Sequence, residues 1–155
     1  AIDMERNVVI HLAMAVWMGT TASSAHAHHS HPYFYDQCKS ITIEGRVESV
    51  QWKDPHTLIV LRPDDGAAYT VDWNSLGALT RDGVLDSAKG ALVSGSRITV
   101  TGNPIRDVAQ IREHFPDFNY TVNPRTVDPT SIRRVDGSFN WARRPGVTPS
   151  DCGRK

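Results

Sequence analysis

Alternating side chains between residues 41 and 49 limit the possible folds of this chain more than any other feature. Ile41, Ile43, Gly45, Val47 and Ser49 would face a core, and the polar residues between them would face water. This period-two pattern is typical of a half-buried β-strand. Gly45 in mid-strand predicts a bend or a β-bulge, which lets a strand curl. The folded part of the chain is therefore expected to begin with a curved β-sheet.

Two further strands are predicted on either side of a tight turn. Residues 56–61 end in a continuous apolar run, and residues 68–73 place Tyr69, Val71 and Trp73 on one side. Between them, Asp64-Asp65-Gly66 is a strong hairpin signal because glycine supplies the positive φ that tight turns require. The pattern predicts a second and a third strand joined as a hairpin.

The second half of the chain predicts a helix and then two more strands. Asn74 or Ser75 can cap a short helix that ends at Asp82-Gly83. Residues 84–95 are interpreted as a connection, and residues 97–101 as the fourth strand. The prolines within residues 105–129 disfavour a long helix or a central strand, so this aromatic segment is interpreted as an ordered insertion over the barrel. The last strand and a possible hairpin are expected within residues 130–141.

This order of elements favours an all-β fold, the small five-stranded Greek-key barrel known as the OB-fold, with one short helix between strands 3 and 4. The OB-like barrel would cover residues 40–141, and residues 142–155 would be a polar tail. A flattened open sandwich is the alternative architecture. The length allows one modest core rather than two.

The N-terminal part of the sequence is typical of a secretory signal. An apolar run from Val8 to Met18 precedes small and polar residues that end at Ala27. Residues 1–27 are therefore interpreted as a signal peptide, with residues 1–3 as a cloning remnant or the product of upstream translation. A retained membrane anchor is the alternative. Cleavage after Ala27 would make His28 the first residue of a periplasmic or secreted protein.

The net charge of the predicted mature chain is too small to attract polyanions in general. Without residues 1–27 the chain has 16 basic and 15 acidic residues. A nearly neutral protein attracts neither nucleic acid nor anionic lipid strongly. We therefore expect no nucleic-acid partner and no membrane association after signal removal.

The sequence contains two cysteines, Cys38 and Cys152, close to the two ends of the mature chain. Disulfides persist in exported proteins. We predict a Cys38–Cys152 bridge that ties both ends to one body, with a frayed polar tail as the alternative.

Several short motifs resemble one family. They are Ala27-His28-His29-Ser30, Ile43-Glu44-Gly45-Arg46-Val47, Gln51-Trp52, Asp54-Pro55-His56, Asp72-Trp73, Leu76-Gly77-Ala78-Leu79 and Ile98-Thr99-Val100-Thr101-Gly102-Asn103-Pro104. Over residues 27–107 the chain resembles the exported bacterial proteins grouped as domain-of-unknown-function family 6152. The resemblance implies a periplasmic OB-like barrel and no particular activity.

Histidines at the predicted mature N-terminus suggest a metal site in the segment 28–39. Imidazole is a common ligand of transition metals. His28 would supply both a ring and the α-amine, a pair that suits Cu(II), and His29, His31 and His56 would compete for the remaining positions. Asp36 or Asp54 could add a carboxylate or orient a ring. A flexible polar tail without a metal is the alternative.

No complete catalytic set is present in the sequence, so we favour a binding protein over an enzyme. If the barrel binds no metal, Trp52, Tyr69 and Trp73 could hold a small molecule, a glycan or another exported protein. A third hypothesis is an enzyme that uses a His56–Asp72 pair under the insertion.

Overall fold

Six β-strands and four short helices are found in residues 31–144, which are the part of the chain that the computed structural model describes. The strands are β1 Ile41–Gln51, β2 Leu58–Arg62, β3 Tyr69–Asp72, β4 Arg97–Pro104, β5 Thr126–Arg134 and β6 Asn140–Ala142. The helices are α1 His31–Phe34, α2 Leu76–Arg81, α3 Leu85–Ala91 and α4 Val108–Arg112.

Five of these strands close into a barrel. β1 pairs antiparallel with β2 and β4, β2 pairs with β3, and β4 pairs with β5. A short parallel pairing between β3 and β5 completes the ring, and β6 pairs with the later part of β5. The predicted OB-like barrel is confirmed, and the open sandwich is wrong because the ring is closed.

The alternation in β1 is as predicted up to Val47 and then changes. A register shift between Val47 and Ser49 leaves Ser49 exposed and turns Val50 partly inward. The bulge therefore lies after Val47 and not at Gly45. Gly45 instead permits close approach of two strands, since a Cβ there would lie 2.4 Å from the carbonyl oxygen of Arg62.

The segment between β3 and β4 contains two helices rather than one. Ser75 caps α2, because its Oγ accepts a hydrogen bond from the Ala78 N–H at 3.2 Å. Residues 84–95, predicted to be only a connection, contain α3. Helix forms there because Ala88, Ala91 and the following Leu92 are buried against the core, which compensates for the segment's weak periodicity.

The predicted insertion ends earlier than residue 129, because β5 begins at Thr126. Pro129 is a buried residue of this strand and lies opposite Gly102, next to a register shift in the β4–β5 pairing that leaves Thr130 of β5 without a partner in the ladder. At such an irregularity the missing N–H of proline interrupts no regular pairing, so proline is tolerated within β5. The prediction that the insertion extends to residue 129 was wrong for this reason.

The interior of the barrel is apolar and contains a cluster of tryptophan side chains. Trp73 is 1% exposed and lies edge-on against Trp141, with 5.1 Å between the ring centroids. The ring centroid of the partly buried Trp52 lies 6.5 Å from that of Trp73. Aliphatic side chains from every barrel strand surround this group: Ile43, Val47, Ile59, Leu61, Val71, Ile98, Val100, Val127 and Ile132.

Candidate functional site

The parallel pairing of β3 and β5 brings two carboxylates together. Val71 lies opposite Val127 in this pairing, and both valines are fully buried in the barrel. Successive residues of a strand point to opposite faces of the sheet. Asp72 and Asp128, each one residue further along, therefore lie side by side on the outer face of the barrel.

The segment that carries His31 is fixed to the end of β4. Tyr35 forms a β-bridge with Ile105, and the Asp36 N–H donates a hydrogen bond to the Pro104 carbonyl at 2.9 Å. The ring of Phe34 also stacks on that of Phe115, with 5.4 Å between centroids. These contacts hold α1 and the residues after it against the barrel and the segment 105–125.

His31 contacts the more deeply buried carboxylate. Its Nδ1 lies 3.1 Å from Oδ2 of Asp128, whose side chain is only 2% exposed. Arg143 donates hydrogen bonds to Oδ1 of Asp128 and, at 2.9 Å, to the carbonyl of Pro129. Asp128 is therefore held from two sides, by an imidazole and by a guanidinium.

His56 contacts the second carboxylate in the same way. Leu58 lies opposite Asp72 in the β2–β3 ladder, so His56, two residues earlier, is a diagonal neighbour on the same face. The Nδ1 of His56 lies 2.5 Å from Oδ1 of Asp72, and the Tyr35 hydroxyl donates to Oδ2. Asp72 is thus also held from two sides.

The two imidazole rings are neighbours. Their centroids are 5.6 Å apart, and the side chains of His31 and His56 are 36% and 40% exposed. Each ring uses Nδ1 for a carboxylate, and within residues 31–144 neither Nε2 has a hydrogen-bond partner. We call His31, Tyr35, His56, Asp72, Asp128 and Arg143 the histidine–aspartate cluster.

The spacing of the rings fits a shared metal ion. A first-row metal binds an imidazole nitrogen at about 2.0 Å, so two rings on one ion have centroids up to roughly 6 Å apart. The observed 5.6 Å lies within that reach. Metal-bound histidines also commonly donate their other ring N–H to a carboxylate, as Asp72 and Asp128 allow here. Within residues 31–144, however, no group of three or more potential ligands is arranged around one point.

Electrostatics favours protonation of His31. The hydrogen bond to Asp128 is the main cause that raises its pKa above 6.5, and the charges of Asp128 and Asp72 act in the same direction. Partial burial and Arg143 oppose this effect. For Tyr35, burial first and then the charge and hydrogen bond of Asp72 raise the pKa of the hydroxyl, which keeps it a proton donor.

His31→Gln is expected to destabilise the metal-free protein most at mildly acidic pH. Because the folded-state pKa of His31 lies above its unfolded value, its contribution is complete below about pH 6 and is lost as pH rises through the folded-state pKa. Urea unfolding between pH 5.5 and 9 measures this. His114→Gln is the matched control, because among residues 31–144 His114 contacts the Tyr33 ring and no carboxylate. A His31→Gln effect that grows with rising pH would contradict the assignment.

Sequence comparison identifies the family. A family described only as being of unknown function, DUF6152, matches residues 15–112. The chain belongs to DUF6152. The resemblance deduced from the sequence motifs is confirmed, whereas bacterial origin and export stay predictions. No curated protein is significantly similar in sequence to this DUF6152 chain.

Solved structures similar to the DUF6152 chain are distant. One is the Stn1–Ten1 complex of S. pombe, with 11% identity, a TM-score of 0.42, and coverage of 62% of this chain and 57% of that one. Aspartyl-tRNA synthetases of Leishmania major Friedlin (a putative enzyme) and Entamoeba histolytica have 14% and 17% identity and TM-scores of 0.43. They cover 75% and 83% of this chain, which spans 22% and 24% of theirs. Similarity this low assigns no partner, and the absence of a nucleic-acid partner stays a prediction.

The structure brings together two of the four predicted metal ligands, His31 and His56. His28 and His29 lie outside the described residues, as do Cys152 and the proposed signal peptide. The Cys38–Cys152 bridge therefore stays a prediction. In the part of the chain that is described, no helix has the length and hydropathy of a membrane span.

The carboxylates expected near the histidines have other partners. Asp54 accepts a hydrogen bond from the Leu76 N–H at 2.9 Å, and Asp36 contacts Lys39 at 3.2 Å. Asp72 and Asp128 take their place. Sequence reasoning missed Asp128 because it lies in the segment interpreted as an insertion, and no local pattern reveals a parallel pairing to β3.

Two alternative hypotheses were a metal-free barrel that binds a ligand through its aromatic residues and an enzyme that uses a His56–Asp72 pair. The structure places these residues in different environments. Trp73 is buried, so its ring has no exposed face, whereas Trp52 and Tyr69 are partly exposed. Tyr69 stacks under the Arg125 guanidinium, 5.1 Å from its ring centroid. His56 and Asp72 are in contact, as the enzyme hypothesis requires. Phe115 and Phe118 of the predicted insertion pack on the ring of Phe34. Both hypotheses stay predictions.

Proposed function

We propose that this protein is an exported OB-like barrel that binds a transition metal, with Cu(II) as its preferred ion. His28 would supply the α-amine and an imidazole, and His29, His31 and His56 would compete for the remaining positions. The bound ion would be sequestered or delivered to another exported protein. This function combines the sequence of the N-terminal segment with the geometry of the described barrel.

One observation carries the proposal. His31 and His56 are far apart in the sequence, yet their ring centroids are 5.6 Å apart and both Nδ1 atoms contact carboxylates. An N-rich set of imidazoles and an amine is the ligand type that Cu(II) prefers in tetragonal geometry. His28 and His29 lie three and two residues before His31 in the sequence, so we propose them as further ligands of the same ion.

The N-terminal amine gives a direct test. A chain that begins at His28 is expected to bind Cu(II) at least about tenfold more tightly than the same chain with its N-terminal amine acetylated, which is a difference of about 1.4 kcal/mol. Competition titration against a chelator of known Cu(II) affinity measures this. Equal affinities would exclude the amine as a ligand. Failure of both chains to compete for Cu(II) would overturn the proposed function.

A matched variant separates the cluster from other histidines. His114→Ala in the chain that begins at His28 should leave Cu(II) affinity unchanged, because His114 is exposed and packs on Tyr33 away from the two carboxylates. A loss equal to that of His56→Ala would place the ion elsewhere.

A further inference from the structure

The carboxylates of the histidine–aspartate cluster are fixed by more than the histidines. Oδ2 of Asp72 accepts from the Tyr35 hydroxyl while Oδ1 faces His56. Oδ1 of Asp128 accepts from Arg143 while Oδ2 faces His31. One oxygen of each carboxylate therefore accepts from a group other than a histidine, the Tyr35 hydroxyl on Asp72 and the Arg143 guanidinium on Asp128, and the other oxygen remains for the ring.

This arrangement dictates the tautomer of each neutral ring. An ionised carboxylate can only accept hydrogen bonds, so the ring atom that faces it must carry the proton. That atom is Nδ1 in both His31 and His56. The lone pair of each neutral ring then resides on Nε2, the nitrogen without a partner in the described part of the chain.

We infer that Asp72 and Asp128 are positioning residues that hold His31 and His56 as Nδ1–H tautomers, so that both rings present Nε2 to one metal ion. The metal part of this inference rests on the proposed function. Neither carboxylate touches the ion. Tyr35 and Arg143 complete the arrangement because they prevent the carboxylates from rotating away.

Asparagine substitutions reverse the hydrogen bonds predictably. In Asp72→Asn, the Tyr35 hydroxyl needs an acceptor, so the amide oxygen turns toward Tyr35 and the NH₂ group toward Nδ1 of His56. A donor at that position forces the ring to accept through Nδ1 and to carry its proton on Nε2. In Asp128→Asn, Arg143 directs the amide in the same way and reverses His31.

The experiment has two readouts on the full mature chain. Long-range ¹H–¹⁵N NMR of the metal-free protein at pH 8.5 reports the tautomer of each histidine, and chelator competition reports Cu(II) affinity. We expect Nδ1–H for both rings in the wild type, Nε2–H for the adjacent ring in each variant, and an affinity about 10- to 100-fold lower. Asp54→Asn is the control, because Asp54 bonds the Leu76 N–H and should change neither readout.

A second substitution tests positioning against simple structural damage. Asp72→Asn combined with Tyr35→Phe removes the donor that directs the amide, so the amide can turn its oxygen back to His56. The double variant should recover the Nδ1–H tautomer and most of the Cu(II) affinity, although it carries one more change than the single variant. Continued loss in a folded double variant would contradict a positioning role.

The outcomes distinguish this inference from the proposed function. An Nε2–H tautomer at either ring in the wild type overturns the inference, as does unchanged Cu(II) affinity in both asparagine variants. Two Nδ1–H rings in a wild type that binds no Cu(II) overturn the proposed function and support the carboxylate positioning alone.

Discussion

Replacing both His31 and His56 with alanine is expected to lower Cu(II) affinity by at least about 100-fold, or roughly 2.7 kcal/mol, because two imidazole donors are lost together. The rings are 5.6 Å apart, so both can reach one ion. Isothermal titration calorimetry with a competing chelator measures the loss. His114→Ala provides the control for general effects of removing a histidine.

The single variants add information that the double variant alone lacks. If both rings bind the same ion, the two single losses will not add to the double loss, because residues that share a partner are coupled. Strictly additive losses would indicate two independent weak sites. A double variant that binds as tightly as the His114→Ala control would contradict the metal site.

Trp73→Ala is expected to reduce the free energy of unfolding by about 3–5 kcal/mol, the usual cost of removing a large buried aromatic side chain. Trp73 is 1% exposed and packs edge-on against Trp141. It also follows Asp72 directly, so its burial orients the end of β3 and directs the carboxylate outward. Urea unfolding monitored by far-UV circular dichroism measures the loss.

Tyr120→Ala is the matched control, because Tyr120 is 73% exposed and its removal should change stability by no more than about 0.5 kcal/mol. If the alanine variant of Trp73 does not fold, Trp73→Phe should still fold with a smaller loss. A loss below about 1 kcal/mol for Trp73→Ala would contradict the core described for this barrel.

The positions of the first strands and of the helix along the chain were predictable because they depend on local signals. The alternation after Ile41, the Asp64-Asp65-Gly66 turn and the Ser75 cap are all properties of adjacent residues. The sequence also suggested a His56–Asp72 pair, and the register between β2 and β3 in the structure explains why these two side chains meet. The bulge after Val47 was not predictable, because it depends on pairing with β2 rather than on β1 alone.

The rest of the histidine–aspartate cluster depends on long-range pairing. Asp128 is 97 residues from His31 in the sequence, and the parallel contact between β3 and β5 involves only two pairs of residues. No composition or periodicity encodes such a contact. The sequence therefore suggested the histidines as ligands, and the closed barrel supplied the carboxylate that holds His31.

The most direct test of the central claim is a crystal structure of the mature, Cu(II)-loaded protein with anomalous diffraction measured at the copper edge. We predict one strong anomalous peak about 2.0 Å from the Nε2 atoms of both His31 and His56, with Nδ1 of each ring on Asp128 and Asp72. A peak that contacts neither ring, or a fully loaded crystal in which the two Nε2 atoms bind no copper, would contradict the claim.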